Sequence, residues 1–164
     1  MGARGDSYYE ILAKEAVLNH SRTSSKAAFA QALDEIEQQL LCGPSPQSFV
    51  CERQPPRGYG AGAALARVFA AKGEASHTKD LVYKMDHLVC FLPATIAIAL
   101  HHRLLPRGKG HLKVASRILR TCIGAYSLAP TGLSPEIIKM DPAKGTIFVA
   151  RLDRHNLLRP ETAE

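Results

Sequence analysis

Two acidic residues near opposite ends of the 164-residue chain each follow an arginine by two positions: Asp6 follows Arg4, and Glu161 follows Arg159. A guanidinium beside a carboxylate can hold that carboxylate, or a hydroxylated ligand, through charge-assisted hydrogen bonds. Aspartate before an amphipathic stretch usually caps a helix, which is the structural interpretation of Asp6. Glu161 follows Pro160, a favoured first helical residue, and a helix dipole there would keep a carboxylate ionised, as a general base requires.

Four blocks of sequence hold the other polar candidates. They are Gly2 to Leu12, Lys84 to Pro93, Thr131 to Ile137, and Asp153 to Thr162. In this order the blocks resemble the class I α-1,2-mannosidases, glycoside hydrolase family 47. The run from Met85 to Phe91 (Met-Asp-His-Leu-Val-Cys-Phe) is similar to the endoplasmic reticulum branch of that family. Ile11 and Ala94 depart from the Tyr and Gly that are usual there.

The resemblance implies an inverting exo-glycosidase that removes terminal α-1,2-linked mannose from high-mannose N-glycans. Inversion needs one acid to protonate the leaving oxygen and a carboxylate, roughly 6.5–9.5 Å away, to activate water. By resemblance, Glu161 is the general base and Asp6 is an acid-side carboxylate. The substrate-binding positions of the family fall on Arg4, Asp86, His87, Glu136 and Arg159. Without the resemblance, a lone histidine before an apolar helix would be read as a cap or a surface residue.

The resemblance also implies one Ca²⁺, a cation that suits oxygen ligands and can hold two sugar hydroxyls. The family's chief calcium ligand, a threonine, and a third carboxylate have no counterpart in this chain. We expect the threonine downstream of Glu164 and the carboxylate upstream of Met1, so residues 1–164 are predicted to be a partial catalytic domain that is inactive alone. The expected location is the endoplasmic reticulum lumen or early secretory pathway, with membrane attachment only through an upstream anchor.

Four cysteines, Cys42, Cys51, Cys90 and Cys122, allow three pairings, and none forms a C-x-x-C zinc motif. Spacing alone leaves disulfides and buried free thiols open. The resemblance implies a disulfide between Cys90 and Cys122. Cys42 and Cys51 flank the Pro-rich segment, and either a second bridge between them or two free thiols is open.

The composition, 46% hydrophobic and 22% charged, is typical of a folded globular chain. The formal net charge of +6 is scattered, with no basic run that would indicate a nucleic-acid-binding arm, and no nucleic-acid partner is expected. The longest apolar run, Leu88 to Leu100, is too short to cross a bilayer. The alternatives are a non-catalytic glycan-binding protein of the same superfamily and, from another class, a nucleic-acid-binding helical module.

Apolar spacing predicts four main helices. A capping box at Ser7 and Glu10 begins the first, whose Tyr8, Ile11, Leu12 and Leu18 are spaced for one buried face. The others are predicted at Ser25–Leu41, Asp86–Leu105 and Gly110–Tyr126, and another helix is predicted to begin at Pro160.

Residues 43–80 are rich in Pro, Gly and Ala, which indicates a loop insertion with an extended stretch at 48–50 and helical turns at 63–71. Alternation at 146–151 predicts a strand. Successive helix pairs joined by turns fit an all-α fold. By resemblance this is part of an (α/α) toroidal barrel of seven helix pairs with short β-hairpin excursions, while an ordinary helical bundle is the alternative.

Overall fold

The computed structural model describes residues 6–19, 23–43, 48–53, 81–106 and 110–163. The α-helices in these ranges are α1 (Asp6–Leu18), α2 (Thr23–Gln39), α3 (Leu92–His101) and α4 (His111–Tyr126). α1 packs against α2, α3 packs against α4, and α1 also contacts α3. Consecutive helices therefore pack in pairs, as the fold prediction requires.

The apolar face of α2 confirms the spacing argument, because Phe29, Leu33 and Ile36 are all buried. In α1 the prediction is wrong for three of the four residues named, and Leu12 alone packs against the core as predicted. Tyr8, Ile11 and Leu18 are exposed, whereas Ala13 and Ala16 are buried. Small side chains at a contact let a helix approach its neighbours closely, and Ala13 and Ala16 are the most deeply buried apolar residues of α1. Tyr9, Leu12 and Val17 are partly buried against the same core.

Short antiparallel strands connect the helices. β1 (Leu41–Cys42) pairs with β2 (Phe49–Val50), and β3 (Glu52–Arg53) pairs with β4 (Leu81–Val82). A three-stranded sheet contains β5 (Lys84–Asp86), β6 (Ile137–Asp141) and β7 (Thr146–Phe148) in that order. The extended stretch at 48–50 and the strand after residue 145 are confirmed, although β7 is shorter than predicted, and β6 was not predicted.

The helix predicted from Asp86 to Leu105 is wrong at its start. β5 ends at Asp86, a 3₁₀ segment runs through His87–Phe91, and α3 begins only at Leu92. Pro93 lies in the first turn of α3, where a residue without a backbone N–H is tolerated. The backbone up to Asp86 pairs with β6, where Asp86 lies opposite Ile137, and this strand pairing replaces the helical hydrogen bonds that were predicted to begin there.

The helix predicted to begin at Pro160 is a single turn within the described residues, closed by a 2.7 Å hydrogen bond from the Ala163 N–H to the Pro160 carbonyl. The described residues therefore contain only the first turn of the predicted helix, and the dipole argument made for Glu161 stays a prediction. Arg4, residues 44–47 and residues 54–80 lie outside the described residues, and with them most of the 43–80 insertion and the turns predicted at 63–71.

Two disulfides cross the core. Cys90 of the 3₁₀ segment bonds to Cys122 of α4, which confirms the pairing implied by the family resemblance. Cys42 of β1 bonds to Cys51, which decides the second pairing. No helix in the described part of the chain is long and apolar enough to cross a membrane.

Candidate active site

The sheet places His87 beside Glu136. β5 and β6 pair with Asp86 opposite Ile137, and the next backbone hydrogen bond runs from the His87 N–H to the Glu136 carbonyl at 2.8 Å. The chain leaves β5 as a 3₁₀ segment at this point, which turns the imidazole inward until only 1% of His87 is exposed. Two residues far apart in sequence are thereby held at one place.

The turn at residues 160–163 brings two further groups to the ring. Glu161 Oε2 lies 3.4 Å from His87 Nδ1, and Thr162 Oγ1 lies 3.0 Å from His87 Nε2. The hydroxyl of Tyr126, the last residue of α4, is 3.4 Å from the same Nε2. Among the described residues, His87 Nδ1 and Glu161 Oε2 are both buried and have no aligned hydrogen-bond partner, so each faces chiefly the other.

Burial lowers the pKa of His87, since a charged imidazole is poorly solvated there, and the Arg159 charge acts in the same direction. The carboxylates of Glu161 and Glu136 oppose this, but the net pKa lies below the ordinary value. His87 is therefore neutral near pH 7.

Glu136 is held by a two-point contact with Arg159. The Arg159 Nε donates to both carboxylate oxygens at 3.0 and 3.2 Å, and Nη2 donates to Oε1 at 2.7 Å. Such a planar fork fixes orientation as well as charge. The side chain of Glu136 is mostly buried, so its carboxylate depends on this partner.

The backbone takes a left-handed conformation at Leu158, immediately before Arg159. Leu158 has a φ of 56°, a left-handed conformation that costs a branched residue about 1–2 kcal/mol. Asn156 stabilises it, because its Oδ1 accepts a 2.8 Å hydrogen bond from the Leu158 N–H while its Nδ2 donates to the Ser134 carbonyl at 2.7 Å. The segment is thus tied to the residues just before Glu136.

Asp86 is buried but is engaged elsewhere. Lys84 Nζ lies 3.0 Å from Asp86 Oδ1 and 3.1 Å from Glu52 Oε1. Burial alone would lower the pKa of Lys84, but its hydrogen bonds to Asp86 and Glu52 outweigh burial and raise the pKa above the ordinary value. Asp86 therefore belongs to an ion pair next to the His87 site.

Of the predicted site residues, the structure brings together His87, Glu136, Arg159 and Glu161, with Asp86 adjacent. Asp6 is the first residue of α1, and its side chain lies outside what the structure describes. Sequence reasoning missed Thr162, Tyr126 and Lys84. Thr162 lies inside the fourth block and was detectable there, whereas no pattern identified Tyr126.

The carboxylates of the described residues do not form a calcium site. In those ranges no group of three or more His, Cys, Asp or Glu side chains is arranged to hold a metal. The carboxylates of Asp86 and Glu136 are already neutralised by Lys84 and Arg159. We therefore derive no step through a metal bound by these residues.

The sequence pattern of glycosyl hydrolase family 47 matches this chain from residue 1 to residue 164. The chain belongs to glycosyl hydrolase family 47. Its relatives within that family include the endoplasmic reticulum mannosyl-oligosaccharide 1,2-alpha-mannosidases of Homo sapiens and Schizosaccharomyces pombe, each 34% identical over 100% of this chain. The chain spans 21% and 31% of the lengths of those two proteins.

The fold is similar to that of an α-1,2-mannosidase from Trichoderma reesei, with a TM-score of 0.66 at 16% identity over 96% of this chain and 31% of the other. This likeness and the described helices support a mostly helical part of the family 47 mannosidase fold with small strands. The complete barrel of seven helix pairs stays a prediction.

Proposed function

We propose that the protein is an inverting exo-glycosidase that hydrolyses terminal α-1,2-linked mannose from high-mannose N-glycans, and that residues 1–164 are part of its catalytic domain. The observation that carries this proposal is the placement of Glu161 in a family 47 chain: its buried Oε2 faces a neutral imidazole. The mannosyl-oligosaccharide 1,2-alpha-mannosidases among its relatives support the substrate class.

In the proposed reaction Glu161 is the general base. It accepts a proton from a water molecule as that water attacks the anomeric carbon, while an acid protonates the departing glycosidic oxygen as its bond to carbon breaks. Attack from the opposite face inverts the configuration, so the α-linkage yields β-mannose. The fixed Glu136–Arg159 pair would offer a rigid set of donors and acceptors to sugar hydroxyls.

Asp6 is proposed as the acid-side carboxylate. In support of this role, α1, which begins at Asp6, packs against the 3₁₀ segment that carries His87. Arg4, Asp86, His87, Glu136 and Arg159 are proposed to contact the glycan. Ca²⁺ is proposed as the cofactor, held by groups other than the described ones, and the proposed location is the lumen of the endoplasmic reticulum or the early secretory pathway.

The test replaces the matching stretch of the Schizosaccharomyces pombe relative with residues 1–164 and compares the chimera with the 164-residue chain alone. Both are incubated with a high-mannose oligosaccharide and Ca²⁺, and the released sugar and its anomer are followed by proton NMR. We expect the chimera to release β-mannose and to lose activity with a chelator. The chain alone is expected to release none, because the third acid and the calcium threonine implied by the family are absent from it.

Glu161→Gln in the chimera should lower kcat by about 10²–10⁴-fold, the range for loss of a general base. Glu10→Gln, which alters a carboxylate of α1 that pairs with Lys14 and not with the site, is the matched control and should leave kcat unchanged. Release of α-mannose would contradict inversion, and full activity in Glu161→Gln would remove Glu161 as the base. Glycan binding without hydrolysis in a folded chimera would favour the non-catalytic alternative.

A further inference from the structure

The two nitrogens of His87 meet different chemical groups. Nδ1 faces the carboxylate oxygen Oε2 of Glu161 at 3.4 Å. Nε2 faces two hydroxyls, Thr162 Oγ1 at 3.0 Å and the Tyr126 hydroxyl at 3.4 Å. A carboxylate only accepts hydrogen bonds, whereas a hydroxyl either donates or accepts. The surroundings of the ring are therefore asymmetric.

A neutral imidazole carries one hydrogen, on one nitrogen only. With the hydrogen on Nδ1, the ring donates to Glu161 and its Nε2 accepts from the Thr162 hydroxyl. With the hydrogen on Nε2, the Nδ1 lone pair would oppose the Glu161 carboxylate in a buried place, where an unmatched pair of acceptors is costly. The first arrangement sets a donor against an acceptor at both nitrogens, whereas the second sets two acceptors against each other at Nδ1.

Glu161 and Thr162 are consecutive residues, and they contact the two opposite nitrogens of the ring. The other groups that act on the ring are the charges of Glu136 and Arg159, which neutralise each other in a two-point contact, and Tyr126, whose ring meets His87 edge-on at 6.0 Å between centroids. None of them offers Nδ1 an alternative acceptor among the described residues.

We propose that His87 is the positioning residue for Glu161: it carries its hydrogen on Nδ1, donates that hydrogen to the Glu161 carboxylate, and is locked in this form by the hydroxyls of Thr162 and Tyr126 at Nε2. The positioning role of His87 in catalysis rests on the proposed function, because that function takes Glu161 as the general base. The tautomer is a property of the chain itself and does not depend on any activity.

The direct test is a long-range proton–nitrogen NMR spectrum of the ¹⁵N-labelled 164-residue chain with both disulfides intact, at a pH where His87 is neutral. His87→Gln identifies the His87 signals by their loss. We expect the hydrogen on Nδ1 in the unaltered chain. Glu161→Gln replaces a charged acceptor with a neutral one and should shift the tautomer ratio toward Nε2 by about fivefold.

A hydrogen on Nε2 in the unaltered chain would overturn the proposal. An unchanged ratio in Glu161→Gln would show that Glu161 does not select the tautomer, and this too would overturn it. If Glu161→Gln does not fold, the spectrum of the unaltered chain still decides the question.

A second test separates positioning from simple packing in the chimera described above. The amide nitrogen of asparagine occupies the place of a histidine Nδ1, and that of glutamine the place of Nε2. His87→Asn should therefore keep kcat within about tenfold, while His87→Gln should lower it by about 10²-fold, the cost of misplacing a reacting group. Equal losses in two folded variants would contradict the proposal. A chimera without hydrolysis would refute the proposed function and leave the NMR result standing.

Discussion

At the scale of single residues, burial decides the chemical state of the site. His87 is almost completely enclosed, and charging it would place a cation where little water reaches. Glu136 and Glu161 favour that charge, but Arg159 opposes it and already neutralises Glu136. A neutral imidazole can then act as a hydrogen-bond donor of fixed direction beside Glu161.

This state makes stability depend on pH. The folded chain holds the pKa of His87 below 6.5, while the unfolded chain leaves it near that value, so the unfolded state binds the proton more readily. The contribution of neutral His87 to the free energy of unfolding is fully present above pH 6.5, and it is lost as the pH falls through the pKa of the folded state. The urea midpoint should therefore fall more steeply between about pH 7.5 and about pH 5 in the unaltered chain than in His87→Gln.

The control for that measurement is His101→Gln, which changes an exposed histidine at the end of α3. It should reproduce the pH dependence of the unaltered chain. Identical slopes for the unaltered chain and His87→Gln would show that His87 is not the titrating group.

At the scale of elements, α4 supplies core packing, and the three-stranded sheet positions the residues of the site. α4 buries Ala115, Ile118, Cys122 and Ala125 at the spacing of one helical face, and it carries Tyr126 to the site at its last residue. The β5–β6 pairing sets His87 beside Glu136. A change in the core of α4 should therefore cost stability, while a change on its outer face should not.

Two isoleucines on α4 test this. Ile118 is 0% exposed and Ile123 is 57% exposed. Ile118→Ala should lower the free energy of unfolding by about 2–5 kcal/mol, because it removes buried methyl groups and leaves a cavity. Ile123→Ala should change it by less than about 0.5 kcal/mol. Urea unfolding of both variants gives the comparison, and similar losses would mean that α4 packs on a different face.

At the scale of the whole molecule, two disulfides connect separate segments of the chain. Cys90–Cys122 spans 32 residues and joins the 3₁₀ segment of the site to α4, whereas Cys42–Cys51 spans 9 residues around one hairpin. The longer loop loses more conformational entropy in the unfolded chain when it is closed. The site thus depends more on the first bridge.

We expect the Cys90→Ala/Cys122→Ala double variant to lose about 3.7 kcal/mol of unfolding free energy and Cys42→Ala/Cys51→Ala to lose about 2.6 kcal/mol, by the loop-entropy relation. Urea unfolding under non-reducing conditions measures both. A larger loss for the shorter loop would indicate that packing around the sulfur atoms, and not loop closure, dominates.

The sequence alone determined the features that depend on short-range pattern or on motif. Regular spacing of apolar residues predicted α2 and α4 to within two residues at each end. Four blocks of motif identified the family, which the match over the whole chain confirmed, and implied the Cys90–Cys122 bridge. The roles of Asp6 and Glu161 stay predictions.

Tertiary structure decided the rest, because the partners concerned are far apart along the chain. β5 pairs with a strand more than fifty residues later, which overrode a local helical pattern at Asp86. In α1, Ala13 and Ala16 are buried, whereas Tyr8, Ile11 and Leu18, which were expected in the core, are exposed. Lys84 took Asp86 as an ion-pair partner, and Thr162 and Tyr126 reached the two sides of one imidazole. Helical periodicity reports only which residues share a face, while contacts between elements depend on how those faces meet.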